Sequence, residues 1–247
     1  PNPLVGPWCQ GDNDECFVPS EIPSTAPSTS TLPTDMQLAS TVPSDLPSAD
    51  VGEDCTKCTS STVITDGSDF KTLVADCIDG NCQDNVPLGC WDTSEVTDMS
   101  SAFQSEGSFN DSINCWNTAR VTNMNGMFNK ASNFNQSLND WNVSSVQDMN
   151  DMFNEAKAFN QSLNDWDVTS VTDMQEMFAC ADDFNQPLDD WNVASVTKMA
   201  AMFGFATVFN QPLDNWNVAS VNTMNYMFFD AFNFNQCLST WADKTPP

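Results

Sequence analysis

The sequence predicts an α/β repeat solenoid, with one short strand and one short helix per coil, behind a disordered N-terminal stalk. Three observations carry that expectation. Tryptophan recurs at 91, 116, 141, 166, 191, 216 and 241, a spacing of 25 residues without a slip. Apolar residues keep fixed columns between those positions. Residues 19 to 50, well upstream of them, show no hydrophobic periodicity. A fixed period of roughly 20 to 50 residues is the signature of units that each bury an apolar side on their neighbours.

Six full units run from Trp91 to Thr240, and Trp241 opens a seventh that the chain does not complete. In the third unit the apolar columns hold Trp141, Val143, Val146, Met149, Met152, Phe153, Ala156, Phe159 and Leu163, enough to line one coil. Val146, Met149, Met152, Phe153 and Ala156 fall three or four apart, the period of one helical face. Ser145 with Asp148, and Ser170 with Asp173, resemble a capping box at the start of that helix. Leu163, Trp166 and Val168 place Trp and Val on one face of a short strand. Rungs stacked at ~4.8 Å would make six units a rod of about 30 Å.

The flanks divide the chain further. Residues 1–18 form a Cys-containing N-terminal segment. Residues 19–54 read as a disordered linker: positions 19 to 50 hold six Pro and twelve Ser or Thr, a composition that cannot bury enough surface to fold and that suits an O-glycosylated stalk. Residues 55–90 form a Cys-rich cap, in which Phe70, Leu73, Val74, Cys77 and Ile78 predict a helix over 69–79. The six repeats occupy 91–241. Residues 242–247 are a tail that reads as truncated, and the Pro-Asn-Pro start reads as a mature or truncated product.

Composition excludes several functions. The chain of 247 residues carries 7 Lys and Arg, 34 Asp and Glu and no His, a formal charge of −27. Nucleic acid binding through phosphate neutralisation needs clustered cations, and anionic lipid surfaces attract basic segments. Without His there is no Ser-His-Asp or Cys-His catalysis and no His-liganded metal. No run approaches the ~18 to 20 apolar residues that span a bilayer, so direct membrane insertion is not expected. The regularity of the repeats argues against an enzyme: the departures Glu106, Gly107, Cys180, Tyr226 and Phe229 assemble no acid, base and nucleophile.

The unit written from its Trp contains Met127-Phe128, Phe134-Asn135-Gln136, Trp141-Asn142-Val143 and Val171-Thr172-Asp173-Met174. This pattern resembles the BspA-like repeat, a family first catalogued in mycoplasma lipoproteins and widespread on bacterial, protist and microalgal surfaces. The resemblance covers about residues 69 to 241. It implies a leucine-rich-repeat-like solenoid and a role in adhesion or protein contacts, and it carries no enzymatic activity over to this chain. The first unit departs from the pattern at Ala102 and Glu106, as terminal repeats do.

Ten cysteines in this setting point to an oxidising, secreted or surface location. Cys90 and Cys115 share a column, and stacked coils would hold their α-carbons about 5 Å apart, within disulfide reach; a cross-rung disulfide is expected there. Cys55, Cys58, Cys77 and Cys82, with Cys9 and Cys16, are expected to staple the N-terminal region, the alternative for the first four being a zinc site. Cys180 and Cys237 lie in different columns, and Cys237 is expected to have lost its partner with the missing C-terminus. Asn110, Asn135, Asn142 and Asn160 stand in N-glycosylation sequons.

The outward columns beside the Trp file are the candidate ligand-binding face: Asp140 and Asn142, Asp165 and Asp167, Asp190 and Asn192, Asn215 and Asn217. Stacked carboxylates suit Ca²⁺, and amides suit polysaccharide hydroxyls; a solvated acidic face is the plain alternative. No other cofactor or metal is expected. The Trp column is expected to be core rather than a sugar-stacking stripe, and the recurrent Asn of Phe-Asn-Gln an amide ladder. The Thr column (Thr97, Thr122, Gln147, Thr172, Thr197, Asn222) is too broken for ice binding. The expected function is a non-enzymatic adhesion or interaction module for an extracellular protein or glycan; the alternative is a spacer or matrix component without a selective ligand.

Overall fold

A computed structural model of the protein describes Cys58 and residues 61–64 and 70–241. The segments 1–18, 19–54 and 242–247, with Cys9, Cys16 and Cys55, lie outside the described residues. Successive 25-residue units lie on one another in parallel register: single-residue bridges join Asp98 to Asn123, Asn123 to Asp148, Asp148 to Asp173, Asp173 to Lys198 and Lys198 to Thr223. Among the described residues no helix is long and apolar enough to cross a membrane.

The helix expected at 146–156 does not form. Tight turns follow one another there instead. Within the third unit the amides of Met152, Asn154 and Ala156 donate to the carbonyls of Met149, Asp151 and Phe153 at 3.1–3.3 Å. The alternate amides, of Met149, Asp151, Phe153 and Glu155, donate to Asp173, Gln175, Met177 and Ala179 of the next unit at 2.8–3.0 Å. An α-helix would return each N–H to the carbonyl four residues back in its own unit. Here half of them leave the unit, and those bonds join one rung to the next. Turns that repeat every three or four residues return side chains to the same side, so they imitate helical spacing.

The strand expected at Leu163, Trp166 and Val168 is likewise replaced by turns. Trp166 N–H donates to Leu163 C=O at 3.1 Å and Val171 N–H to Val168 C=O at 3.0 Å, which closes the backbone locally and removes it from a ladder. Parallel pairing falls instead at the Asp148 column. The capping-box reading fails for the same reason: Ser145 Oγ donates to Ala119 C=O of the rung below at 3.0 Å, and Asp148 Oδ1 accepts the Asn150 amide at 2.9 Å.

Two positions in every unit adopt left-handed backbone, with φ of 50–69°: Ser101 and Ser105, Gly126 and Lys130, Asp151 and Glu155, Glu176 and Cys180, Ala201 and Phe205, Tyr226 and Asp230. Side chains are disfavoured there by ~1–2 kcal/mol per residue, yet only Gly126 is glycine. A Cβ at Gly126 would meet Ser101 Oγ at 3.5 Å, an ordinary contact. Gly126→Ala should therefore lose about 1 kcal/mol through backbone conformation alone, read as a lowered denaturant midpoint with an unchanged slope.

The core is a set of stacked aromatic files. Trp91, Trp116, Trp141, Trp166, Trp191, Trp216 and Trp241 are all buried, with ring centroids 6.2–6.3 Å apart for Trp91–Trp116, Trp116–Trp141, Trp191–Trp216 and Trp216–Trp241. Each indole N–H reaches a buried backbone acceptor, as Trp116 Nε1 does at Leu88 C=O, 2.8 Å. Phe128, Phe153, Phe178 and Phe203 form a second file at 5.4–5.7 Å, and each also stacks on a Phe of its own unit, as Phe153 does on Phe159 at 4.0 Å.

The only α-helix among the described residues, α1 (Phe70–Ile78), precedes the first unit and buries Phe70, Val74 and Cys77. This i, i+4, i+7 stripe faces the repeats: Phe70 meets Trp91 and Trp116 edge-on at 6.3 and 5.4 Å. Residues 62–64 run beside the first unit through the Val63–Asp92 bridge. That placement corrects the expected Cys90–Cys115 disulfide. Cys90 bonds to Cys58, α-carbons 5.5 Å apart, because the bridge carries the segment after Cys58 along the first rung. Cys77 pairs with Cys82, which leaves neither thiol for zinc. Cys115 and Cys237 are also disulfide-bonded, so Cys237 has not lost its partner. Cys180 is free.

Candidate functional site

The expected binding face is built from two columns, one on either side of the Trp file. The first holds Asn142, Asp167, Asn192 and Asn217, all exposed. Each side chain folds back on its own turn: the amides of Ser144, Thr169, Ala194 and Ala219 donate to their Oδ1 atoms at 3.1–3.3 Å. This is the local bond by which Asn and Asp favour turns. Ser144 and Thr169 add their hydroxyls to the same oxygens, at 2.7 and 2.6 Å. The Thr169 hydroxyl and then its amide hold the Asp167 carboxyl below the usual carboxylate range.

The second column holds Asp140, Asp165, Asp190 and Asn215, also exposed. It does not stand as a ladder of bare like charges. Asn114 Nδ2 donates to Asp140 Oδ2 at 2.7 Å, and Asn164 Nδ2 to Asp190 Oδ2 at 2.6 Å. The rung below thus supplies an amide to the carboxylate above it. Among the described residues no group of three or more carboxylates or thiols converges to hold a metal ion, so the face offers no built Ca²⁺ cage. What it offers is a periodic set of outward amide donors and carboxylate acceptors, of which Asp140, Asn142, Asp167, Asp190, Asn192 and Asn217 are tied down on one side by a hydrogen bond.

The sequon residues separate by environment. Asn110 and Asn142 are exposed, while Asn135 and Asn160 are half-buried. Asn135, Asn160, Asn185 and Asn210 form an amide ladder: each Oδ1 accepts the backbone N–H of the Asn one rung on, at 2.9–3.0 Å, and the neighbouring Gln Nε2, at 2.9–3.1 Å. Asn160→Ala would leave the Asn185 amide without its acceptor. We expect a loss of ~1–3 kcal/mol, with faster hydrogen exchange at Asn185 as the specific sign.

The sequence reading singled out Tyr226 and Phe229 as departures from the repeat, but not the exposed patch they form with Phe205 and Phe232. Phe205, Tyr226, Phe229 and Phe232 are 46%, 50%, 47% and 75% exposed. Their columns are polar or small in the earlier units; that of Phe229, for example, reads Gln104, Asn129, Asn154, Ala179 and Gly204. Comparing each column down the repeats would have found the patch, whereas a consensus averages it away.

A family profile described as Mycoplasma protein of unknown function, DUF285, matches residues 69–182 and 162–245, together more than half of the sequence. Comparison with curated proteins and with solved structures finds no match.

Proposed function

The chain belongs to the family described as Mycoplasma protein of unknown function, DUF285, and for it we propose a non-enzymatic role as a secreted or surface-displayed interaction module. In this reading the units are BspA-like repeats of a leucine-rich-repeat-like solenoid, and the face flanking the Trp file binds an extracellular protein or glycan. One observation carries it: Asn142, Asp167, Asn192 and Asn217 are exposed and held in one turn geometry on successive rungs. A ligand with its own repeat can meet several such contacts at once, so avidity rises with the units engaged.

The second reading, a spacer without a selective ligand, is favoured by the same bonds, because each side chain spends part of its hydrogen-bonding capacity on its own turn. Deleting residues 141–190, two whole units, distinguishes the two. A module loses attachment to glycan and matrix-protein arrays in a graded way, while a spacer shortens without that loss. Running the arrays with and without Ca²⁺ tests whether the carboxylate columns recruit a cation on binding. Turnover on a glycan panel would contradict the non-enzymatic reading.

A further inference from the structure

The turn side of the units at 191–215 and 216–240 carries a second surface that the reading above does not use. Phe205 and Phe229 meet edge-on with centroids 5.3 Å apart, and Tyr226 and Phe229 do so at 5.7 Å. Phe232 follows on the same rung and is, among the described residues, the most exposed large hydrophobic one. A cluster of exposed rings on so acidic a chain is a marker of association.

The neighbouring rungs of the same side are acidic. Glu155, Glu176 and Asp182 surround Cys180, whose thiol is pushed up by burial and then by Glu155 and Asp182, with Glu176 adding and Lys157 opposing. Two ion pairs there, Lys130–Glu155 at 3.6 Å and Lys157–Asp182 at 3.9 Å, are solvent-exposed and so hold their carboxylates weakly.

We propose that this side docks a basic peptide segment bearing a large apolar or aromatic side chain. The rings of Phe205, Tyr226, Phe229 and Phe232 receive the anchor. The carboxylates on the rungs before them receive its Lys and Arg side chains, and an Arg can also lie over an aromatic face. A segment that carries cations and an apolar side chain together matches this pairing of rings and carboxylates, which favours a peptide over an aliphatic surface. The charge of the whole chain, −27, draws such a segment in from a distance. This inference goes beyond the proposed function: it concerns another side of the rung and holds whether or not the Trp-flanking columns take a ligand.

The test uses the full chain and three labelled peptides of equal length: alternating Arg and Leu, alternating Arg and Gly, and alternating Asp and Leu. The Arg–Leu peptide should bind at least tenfold more tightly than the Arg–Gly peptide, and the Asp–Leu peptide should not bind. Phe229→Ser with Phe232→Ser should reduce Arg–Leu binding to the Arg–Gly level. Phe232→Ser alone, at the most exposed of the four positions, guards against a folding defect, and should weaken binding severalfold at an unchanged melting temperature. Glu176→Gln with Asp182→Asn should weaken binding and flatten its salt dependence, while Asp140→Asn on the other side leaves it unchanged. Equal affinity for the Arg–Leu and Arg–Gly peptides, indifference to the aromatic variants, or no binding would each overturn the proposal. So would sedimentation showing a dimer that Phe232→Ser dissociates, since the patch would then belong to a second copy. Failure of the glycan and matrix arrays alone would leave this result untouched.

Discussion

Trp116→Ala should cost the protein about 3–5 kcal/mol, the range for removing a large aromatic side chain from a packed core. Trp116 is 2% exposed and meets Phe70, Trp91, Phe103 and Trp141 at centroid distances of 5.4, 6.3, 5.8 and 6.3 Å. It thus joins α1, the first unit and the third. The neighbours are held in place by their own rung hydrogen bonds, so they cannot collapse into the space. Losing the indole also removes its hydrogen bond to the Leu88 carbonyl at 2.8 Å, which contributes about 1 kcal/mol, while that carbonyl keeps the Trp91 amide as a donor at 3.1 Å. Trp116→Phe falls between, because it keeps part of the ring surface while removing the N–H. Denaturant unfolding should rank wild type, Trp116→Phe and Trp116→Ala in that order. A Trp116→Ala protein as stable as wild type would mean that the indole file contributes little.

The second large effect concerns register. Deleting residues 141–165 removes one whole unit and joins Asp140 to Trp166, so every column is restored. The amides of Met124 and Phe128, which donate to Asp148 and Met152, would then find Asp173 and Met177 in the same places. The shortened protein should melt cooperatively, with a modest loss of stability, as expected where each unit interacts with its neighbours only. Deleting residues 141–153 instead joins Asp140 to Asn154, and the remainder of that unit no longer supplies the aromatic files or the alternate donors. That variant should fail to fold its downstream units, with loss of near-ultraviolet dichroism from the indoles. The difference between the two deletions rests on period rather than on how many residues are removed.

The sequence made the stacking period and the inward columns plain, because seven indoles at one spacing and their apolar companions have a single arrangement that buries them together. It concealed the local backbone. Val146, Met149, Met152, Phe153 and Ala156 fit a helical face, and consecutive turns present the same spacing. The signal that would have separated the two is glycine at the left-handed positions. In this chain those positions hold Ser, Lys, Asp, Glu, Cys, Ala, Phe and Tyr, with Gly126 the lone exception. The candidate face was legible as a set of outward columns, but not the use of its side chains. Asn and Asp beside a Trp serve equally well for a ligand or for their own turn, and here Asn142, Asp167, Asn192 and Asn217 bond their own turns first. The Cys90–Cys115 expectation followed from spacing within the repeats and could not anticipate that residues 62–64 lie along the first rung.

The stacked rungs and their crossing hydrogen bonds are tested most directly by residue-resolved amide exchange. The amides of Met149, Asp151, Phe153 and Glu155, and their counterparts one period before and after, cross between rungs under an apolar core. They should exchange slowly and together, through global unfolding, as should the buried indole N–H groups. Gln147, Thr172 and Thr197 donate across rungs as well, and should show the same 25-residue recurrence of protection. Protection confined to continuous helical stretches within each unit, or rapid exchange of the indole N–H groups, would contradict the account.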